Sequence, residues 1–128
     1  MSSPIAKTIL IVEDESDTAE MYSQMLQRNG YAIVRASGGV AAMKHILHVQ
    51  PDLILLDLMM PDVSGLEVLR FLRREPQLHN LPVVIVSAKC LPEDIQKGME
   101  AGASLYMTKP IAYRELIQSI GDLLADRS

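Results

Sequence analysis

Five short, largely apolar runs, separated by stretches with helical spacing, limit this chain to one broad architecture. The runs are Thr8 to Val12, Tyr31 to Val34, Leu53 to Leu56, Val83 to Val86 and Ser104 to Met107. They do not alternate polar with apolar residues. That pattern belongs to strands covered on both faces of a sheet. The intervening segments repeat apolar residues at three- and four-residue steps. From Ser16 to Asn29 the stripe is Ala19, Tyr22, Met25 and Leu26, with Gly30 as the stop; from Gly39 to Val49 it is Val40, Met43, Ile46 and Leu47, ended by Pro51. A third helix spans Gly65 to Arg74 with Leu66, Val68, Leu69 and Leu72 inward, before Pro76. Pro92 starts a fourth at Glu93 that ends around Ala101-Gly102. The last runs from Ala112 to Leu124 on Leu116, Ile117, Ile120 and Leu124. Strand and helix alternating five times imply an α/β fold, a doubly wound five-stranded parallel sheet with right-handed crossovers and five helices.

The chain's 128 residues suffice for one domain with a substantial core. The expected unit is a single domain over residues 1–128, with its core at 7–124, since no repeat, linker or low-complexity tract divides it. No apolar run approaches the ~18–20 residues that cross a bilayer, and Met1 to Lys7 carry no secretory h-region. Cys90 is the lone cysteine, so an internal disulfide is impossible and a reducing, cytoplasmic setting fits. A net charge of −4 argues against direct contact with nucleic acid.

Asp57 ends the third apolar run and begins a loop punctuated by Pro61 and Gly65. That places its carboxylate at the carboxyl edge of the sheet, where open α/β sheets bind ligands. Glu13-Asp14, Ser87 and Lys109 follow three other runs in the same way. Taken singly, Asp14 reads as a helix N-cap, Lys109 as a solvated lysine before a turn, and Ser87 as an ordinary hydroxyl. Taken together they form one crevice. Clustered carboxylates raise one another's pKa unless a cation sits among them. The absence of His or Cys from the set selects a hard ion, Mg²⁺. A lysine and a hydroxyl beside such an ion suit a phosphoryl group.

Val12-Glu13-Asp14, Leu56-Asp57-Leu58-Met59-Met60-Pro61, Val86-Ser87-Ala88 and Thr108-Lys109-Pro110 resemble the receiver domain of two-component response regulators, of the chemotaxis-regulator type, from Lys7 to about Leu124. The resemblance implies a flavodoxin-like strand order 2-1-3-4-5 and Asp57 as phosphoacceptor. It implies Mg²⁺ bound by Asp14, Asp57 and the backbone carbonyl of Met59, with Glu13 acting through water. Glu13 stands where Asp is commoner, and its extra methylene suits that outer role. A carboxylate nucleophile needs no general base. Lys109 then pairs with Asp57 at rest and with a phosphoryl oxygen after transfer, and Ser87 donates its hydroxyl to another. Tyr106 matches the aromatic switch position and follows Ser87 inward, a two-state element biased by a new charge. Met59 and Lys89 match the positions that flank the path of attacking water, and an apolar Met59 implies a long-lived acyl phosphate.

The implied donor is a sensor histidine kinase or a histidine phosphotransfer protein. The output is a downstream protein or effector domain, or an activation-dependent homodimer. Two other classes compete: a receiver-like interaction module whose phosphorylation is incidental, and a phosphatase with an aspartyl nucleophile. The full set of charged residues counts against the first. Met59, where a second acid is needed two residues after Asp57, counts against the second, so transfer is read as regulated modification rather than enzymatic turnover. Only four residues follow Leu124, so the chain is either a complete regulator or a piece of a longer one. Ile111, where many DNA-binding members carry Phe, disfavours their dimer mode. Arg70, Arg73 and Arg74 read as a solvated helix face, His45, His48 and His79 as non-ligands, and Cys90 as a small space-filler or else a reactive thiol near the crevice rim. The eight methionines are expected in the core.

Overall fold

The computed structural model describes residues 6–125; the extreme ends of the expected 1–128 domain lie outside them. The elements in chain order are β1 (Thr8–Val12), α1 (Ser16–Arg28), β2 (Ala32–Ala36), α2 (Gly39–Val49), β3 (Leu53–Leu56), α3 (Gly65–Arg74), β4 (Val83–Ser87), α4 (Pro92–Glu100), β5 (Leu105–Thr108) and α5 (Tyr113–Ala125). The five strands form one sheet in the order β2-β1-β3-β4-β5, every pair parallel. This is the doubly wound, flavodoxin-like sheet that the sequence implies.

Although the central strands are apolar apart from Thr8 and Ser87 at their ends, the pleat sorts their residues by parity. Leu10, Val12, Ile54, Leu56, Val83 and Ile85 pack with Ala42 and Ile46 of α2 and Val68, Leu69 and Leu72 of α3. Ile9, Ile11, Leu53, Leu55, Val84 and Val86 pack with Ala19, Tyr22 and Leu26 of α1 and Leu116, Ile120 and Leu124 of α5. Each fully buried Leu or Ile among them contributes about 1.5–3 kcal/mol of transfer free energy. The helices α2 and α3 cover one face and α1 and α5 the other. The glycine of α4, Gly98, lies against Tyr106 and Ile85 on the α2–α3 side.

Several expectations shift. The edge strand β2 starts one residue late and runs on to Ala36, because its register with β1 continues from Thr8–Ala32 to Val12–Ala36. At the other edge, β5 slides by one so that Thr108 pairs with Ser87. In helix α2 Ile46 is buried as expected, but its neighbours on the inner face are the small Gly39 and Ala42, while Val40 and Leu47 are 44% and 52% exposed. Size-blind reading of apolar spacing favoured the larger side chains. Met25, Leu66 and Ile117 are half-buried at the margins of their stripes.

The methionines are a clear correction. Among the described residues only Met107 is buried; Met25, Met43 and Met60 pack half-buried against the margins, and the core itself is mainly Leu, Ile and Val with Ala and Tyr22. Cys90 is exposed and fills no space. Arg73 is not a solvated residue either: its Nε donates to the carbonyl of Gly102 at 2.9 Å and its guanidinium also reaches Leu78 O at 3.3 Å. Gly30 does stop α1, with φ of 91° and its N–H on Gln27 O.

Candidate functional site

The parallel ladder continues one step beyond the strands, and that step carries the site. Glu13 N donates to Ala36 O at 3.1 Å, Asp57 N to Val12 O at 3.0 Å and Lys109 N to Ser87 O at 2.9 Å. Side chains that follow three different strands are therefore mounted on hydrogen-bonded backbone, beside Ser87 at the end of β4. Glu13, Asp57 and Ser87 are buried, while Asp14 and Met59 stand at the exposed rim.

Lys109 spans the group. Its Nζ lies 3.3 Å from Glu13 Oε1 and 3.4 Å from Asp57 Oδ2. Burial opposes its charge, yet the attraction of Asp57 and Glu13 outweighs burial and raises its pKa above the ordinary lysine value. The lysine does not neutralise the whole cluster. Burial first, then a hydrogen bond with Asp57 and its charge, push Glu13 up to about 7 against the opposing pull of Lys109.

Glu13, Asp14 and Asp57 each offer a carboxylate oxygen within 4.8 Å of the others. Three oxygen donors crowded around one lysine form a site short of positive charge, which fits a small hard cation such as Mg²⁺. Asp14 is not engaged as a helix cap: α1 begins after Glu15 and no side chain caps it. Glu13 Oε2 meanwhile accepts from Glu15 N at 3.3 Å, which orients its carboxylate into the crevice.

The loop after β3 is tightly shaped. Asp57 Oδ1 accepts from Met59 N at 3.0 Å. A Cβ on Gly65 would come within 2.5 Å of the carbonyl oxygen of Asp57, so only glycine lets α3 start this close to the site. Ser64 caps α3 by accepting from Leu66 N. Asp62, which the sequence reading passed over, accepts from Gly39 N, Val40 N and Val63 N, and these bonds hold its pKa below the ordinary aspartate value. The Pro61-Asp62 turn signal could have flagged it; its partner on α2 could not be foreseen.

On the far side, Ser87 Oγ accepts from Lys89 N at 3.1 Å, and the Tyr106 hydroxyl donates to Lys89 O at 2.7 Å. Tyr106 is half-buried. Met59 is 54% exposed, and Lys89 is exposed as well. His45, His48 and His79 all lie exposed, and none belongs to the carboxylate group. Beside Lys109, a cavity of about 420 Å³ opens among Thr18, Met21, Tyr22, Pro110, Ile111 and Tyr113. It joins residues from α1 and from the start of α5, a meeting that linear spacing does not reveal.

Residues 9–121 match the family model described as the response regulator receiver domain. The phosphate regulon transcriptional regulatory protein PhoB of Escherichia coli is 40% identical over 116 residues, which are 91% of this chain and 51% of PhoB. The chain thus spans about half the length of that relative. The polar-differentiation response regulator DivK of Brucella abortus is 32% identical over 122 residues, covering 95% of this chain and 99% of DivK. The crystal structure of the receiver domain of a signal transduction histidine kinase from Syntrophus aciditrophicus superposes with a TM-score of 0.89 at 32% identity, covering 94% of this chain and 92% of that one. No helix among the described residues is long and apolar enough to cross a membrane.

Proposed function

Given that the chain belongs to the response regulator receiver family, we propose that it accepts a phosphoryl group on Asp57 from a histidine kinase or a histidine phosphotransfer protein. The phosphorus–nitrogen bond of the donor phosphohistidine breaks as a phosphorus–oxygen bond to the Asp57 carboxylate forms. The imidazole leaves with the electron pair. The observation that carries this reading is Lys109 Nζ bridging Glu13 and Asp57 across strand ends far apart in sequence.

Each remaining residue has a task. Asp14, Asp57 and the Met59 carbonyl are the ligands we assign to Mg²⁺, with Glu13 acting through water. The chemistry supplied by the bound ion is neutralisation of the carboxylate and the incoming phosphoryl together. Lys109 exchanges its carboxylate partner for a phosphoryl oxygen. Ser87 donates to a second oxygen, and Tyr106 carries the change to the surface of α4 and β5. Transfer of this kind modifies the protein once and is not turnover.

Residues 7–124 serve as the core of this one receiver domain, working in the cytoplasm without contacting nucleic acid or membrane itself. Its signal passes to a protein partner or effector domain, with self-association on activation as one form of output. The name of PhoB points to transcriptional regulation in that relative, while Ile111 disfavours the dimer mode of DNA-binding members.

The test is labelling with acetyl phosphate and with a histidine kinase in Mg²⁺, read by intact mass. Wild type is expected to gain one phosphoryl group and Asp57→Asn none. Equal labelling of that variant at the same site refutes the assignment.

A further inference from the structure

We propose that Gly98 is a positioning residue for Tyr106: its missing side chain is the seat that the aromatic ring occupies when it turns toward α4. This rests on the switch role proposed above. A Cβ built at Gly98 would lie 2.8 Å from Tyr106 Cδ2, 3.0 Å from Tyr106 Cε2 and 3.0 Å from Ile85 Cδ1. The first two contacts are with the ring itself, which cannot bend. Gly98 is the buried residue of α4, so the helix meets the body of the protein at the position where it has no side chain.

Three groups could yield to a larger residue, and two of them are held. Ile85 is wholly buried in β4 and is paired in register with Tyr106. The backbone at Gly98 is fixed from the C-terminal end of α4: Gly98 O accepts from Ala103 N at 3.1 Å, Gly102 O accepts from Arg73 Nε at 2.9 Å, and Ser104 N donates to Val83 O at 2.8 Å. The half-buried ring of Tyr106 is the remaining movable part, held through its hydroxyl, which donates to Lys89 O. A methyl at position 98 therefore displaces the ring outward and breaks that bond.

Lys89 connects the seat to the site. Its N–H is bonded to Ser87 Oγ and its carbonyl to the Tyr106 hydroxyl, so ring position and the loop beside the phosphoacceptor are biased together. Shrinking the seat disfavours the inward ring and, by reciprocity, weakens any ligand at Asp57 that favours it.

The experiment compares wild type, Gly98→Ala, Tyr106→Ala and the double variant. Tyrosine-labelled NMR reports the ring with and without beryllofluoride and Mg²⁺, and titration gives beryllofluoride affinity. In Gly98→Ala the ring should lose its contacts to Ile85 and residue 98 even in the unliganded protein. Affinity for beryllofluoride should fall about fivefold or more. In the Tyr106→Ala background the same substitution should change nothing. The helix preference of alanine over glycine offsets part of the lost hydroxyl bond, so the variant should remain folded, with thermal stability lowered only modestly. A ring that stays in place while the α4 amides shift overturns the proposal, as does an equal loss of affinity without Tyr106. Failure of wild type to bind beryllofluoride would count against the phosphoacceptor reading alone, because the ring position in the unliganded protein still decides the role of Gly98.

Discussion

Asp62 accepts the backbone N–H of Gly39 at 3.1 Å, so the loop after β3 caps the helix that follows β2. The second carboxylate oxygen takes Val40 N at 3.2 Å. Gly38, at the N-cap of α2, has no side chain to do this, and a Cβ there would lie 2.8 Å from the Asp62 carboxylate. The anchor sits three residues beyond Met59, whose carbonyl is the ligand assigned to Mg²⁺.

Asp62→Ala should therefore loosen two places at once. Amide exchange should accelerate at Gly39 and Val40, and Mg²⁺ affinity should drop by up to about tenfold, as for partners that orient a metal ligand. Hydrogen exchange and a Mg²⁺ titration of the unphosphorylated protein check both. A change confined to α2 would dissociate the cap from the loop.

Glu13 gives the site a pH dependence with a defined sign. Its pKa in the folded protein is about 7, above the ordinary value of 4.5. Its contribution to the stability of the metal-free protein is full below pH 4.5 and is lost as pH rises through about 7. Mg²⁺ works in the opposite direction. The ion favours ionised Glu13, so its affinity should weaken by up to about tenfold per pH unit below 7. Calorimetric titration from pH 5.5 to 8.5 should show proton release in wild type, and Glu13→Gln should flatten the slope.

Under the proposed function, Met59 and Lys89 are the positions expected to set the lifetime of the modification. Both are exposed at the rim, and Met59 offers no group that could orient a water for attack. Changing them to Asn and Glu supplies an amide and an acid, and dephosphorylation should then quicken by about tenfold or more. Decay of the phosphorylated protein, followed by intact mass, measures this. Slower decay in the double variant than in wild type sinks the idea.

Much of this was legible because the informative signals are local. Leu53 to Leu56, Gly39 to Val49 and Gly65 to Arg74 could be bounded from apolar runs and breakers alone, and their ends coincide with β3, α2 and α3. Residues just past strand ends gave the site, since a parallel sheet collects such positions at one edge. Tertiary context decided the rest. Which face of α2 turns inward depended on how closely Gly39 and Ala42 let the helix approach, and a Cβ on Gly39 would already lie 2.7 Å from Val63. The roles of Asp62, Arg73 and Gly98 were hidden for another reason. Each meets a partner from a different element, on the backbone of α2, at Gly102 or at the ring of Tyr106.

The division of helices between the two faces of the sheet has a consequence for traffic at the surface. The cavity beside Lys109 belongs to the side of α1 and α5, whereas Tyr106 leans on α4 across the sheet edge. Under the proposed function, a donor that gripped the first side would leave the second uncovered. Loading and reading the signal would then not need to take turns, and a reader already seated on α4 would favour the loaded state before the donor departed.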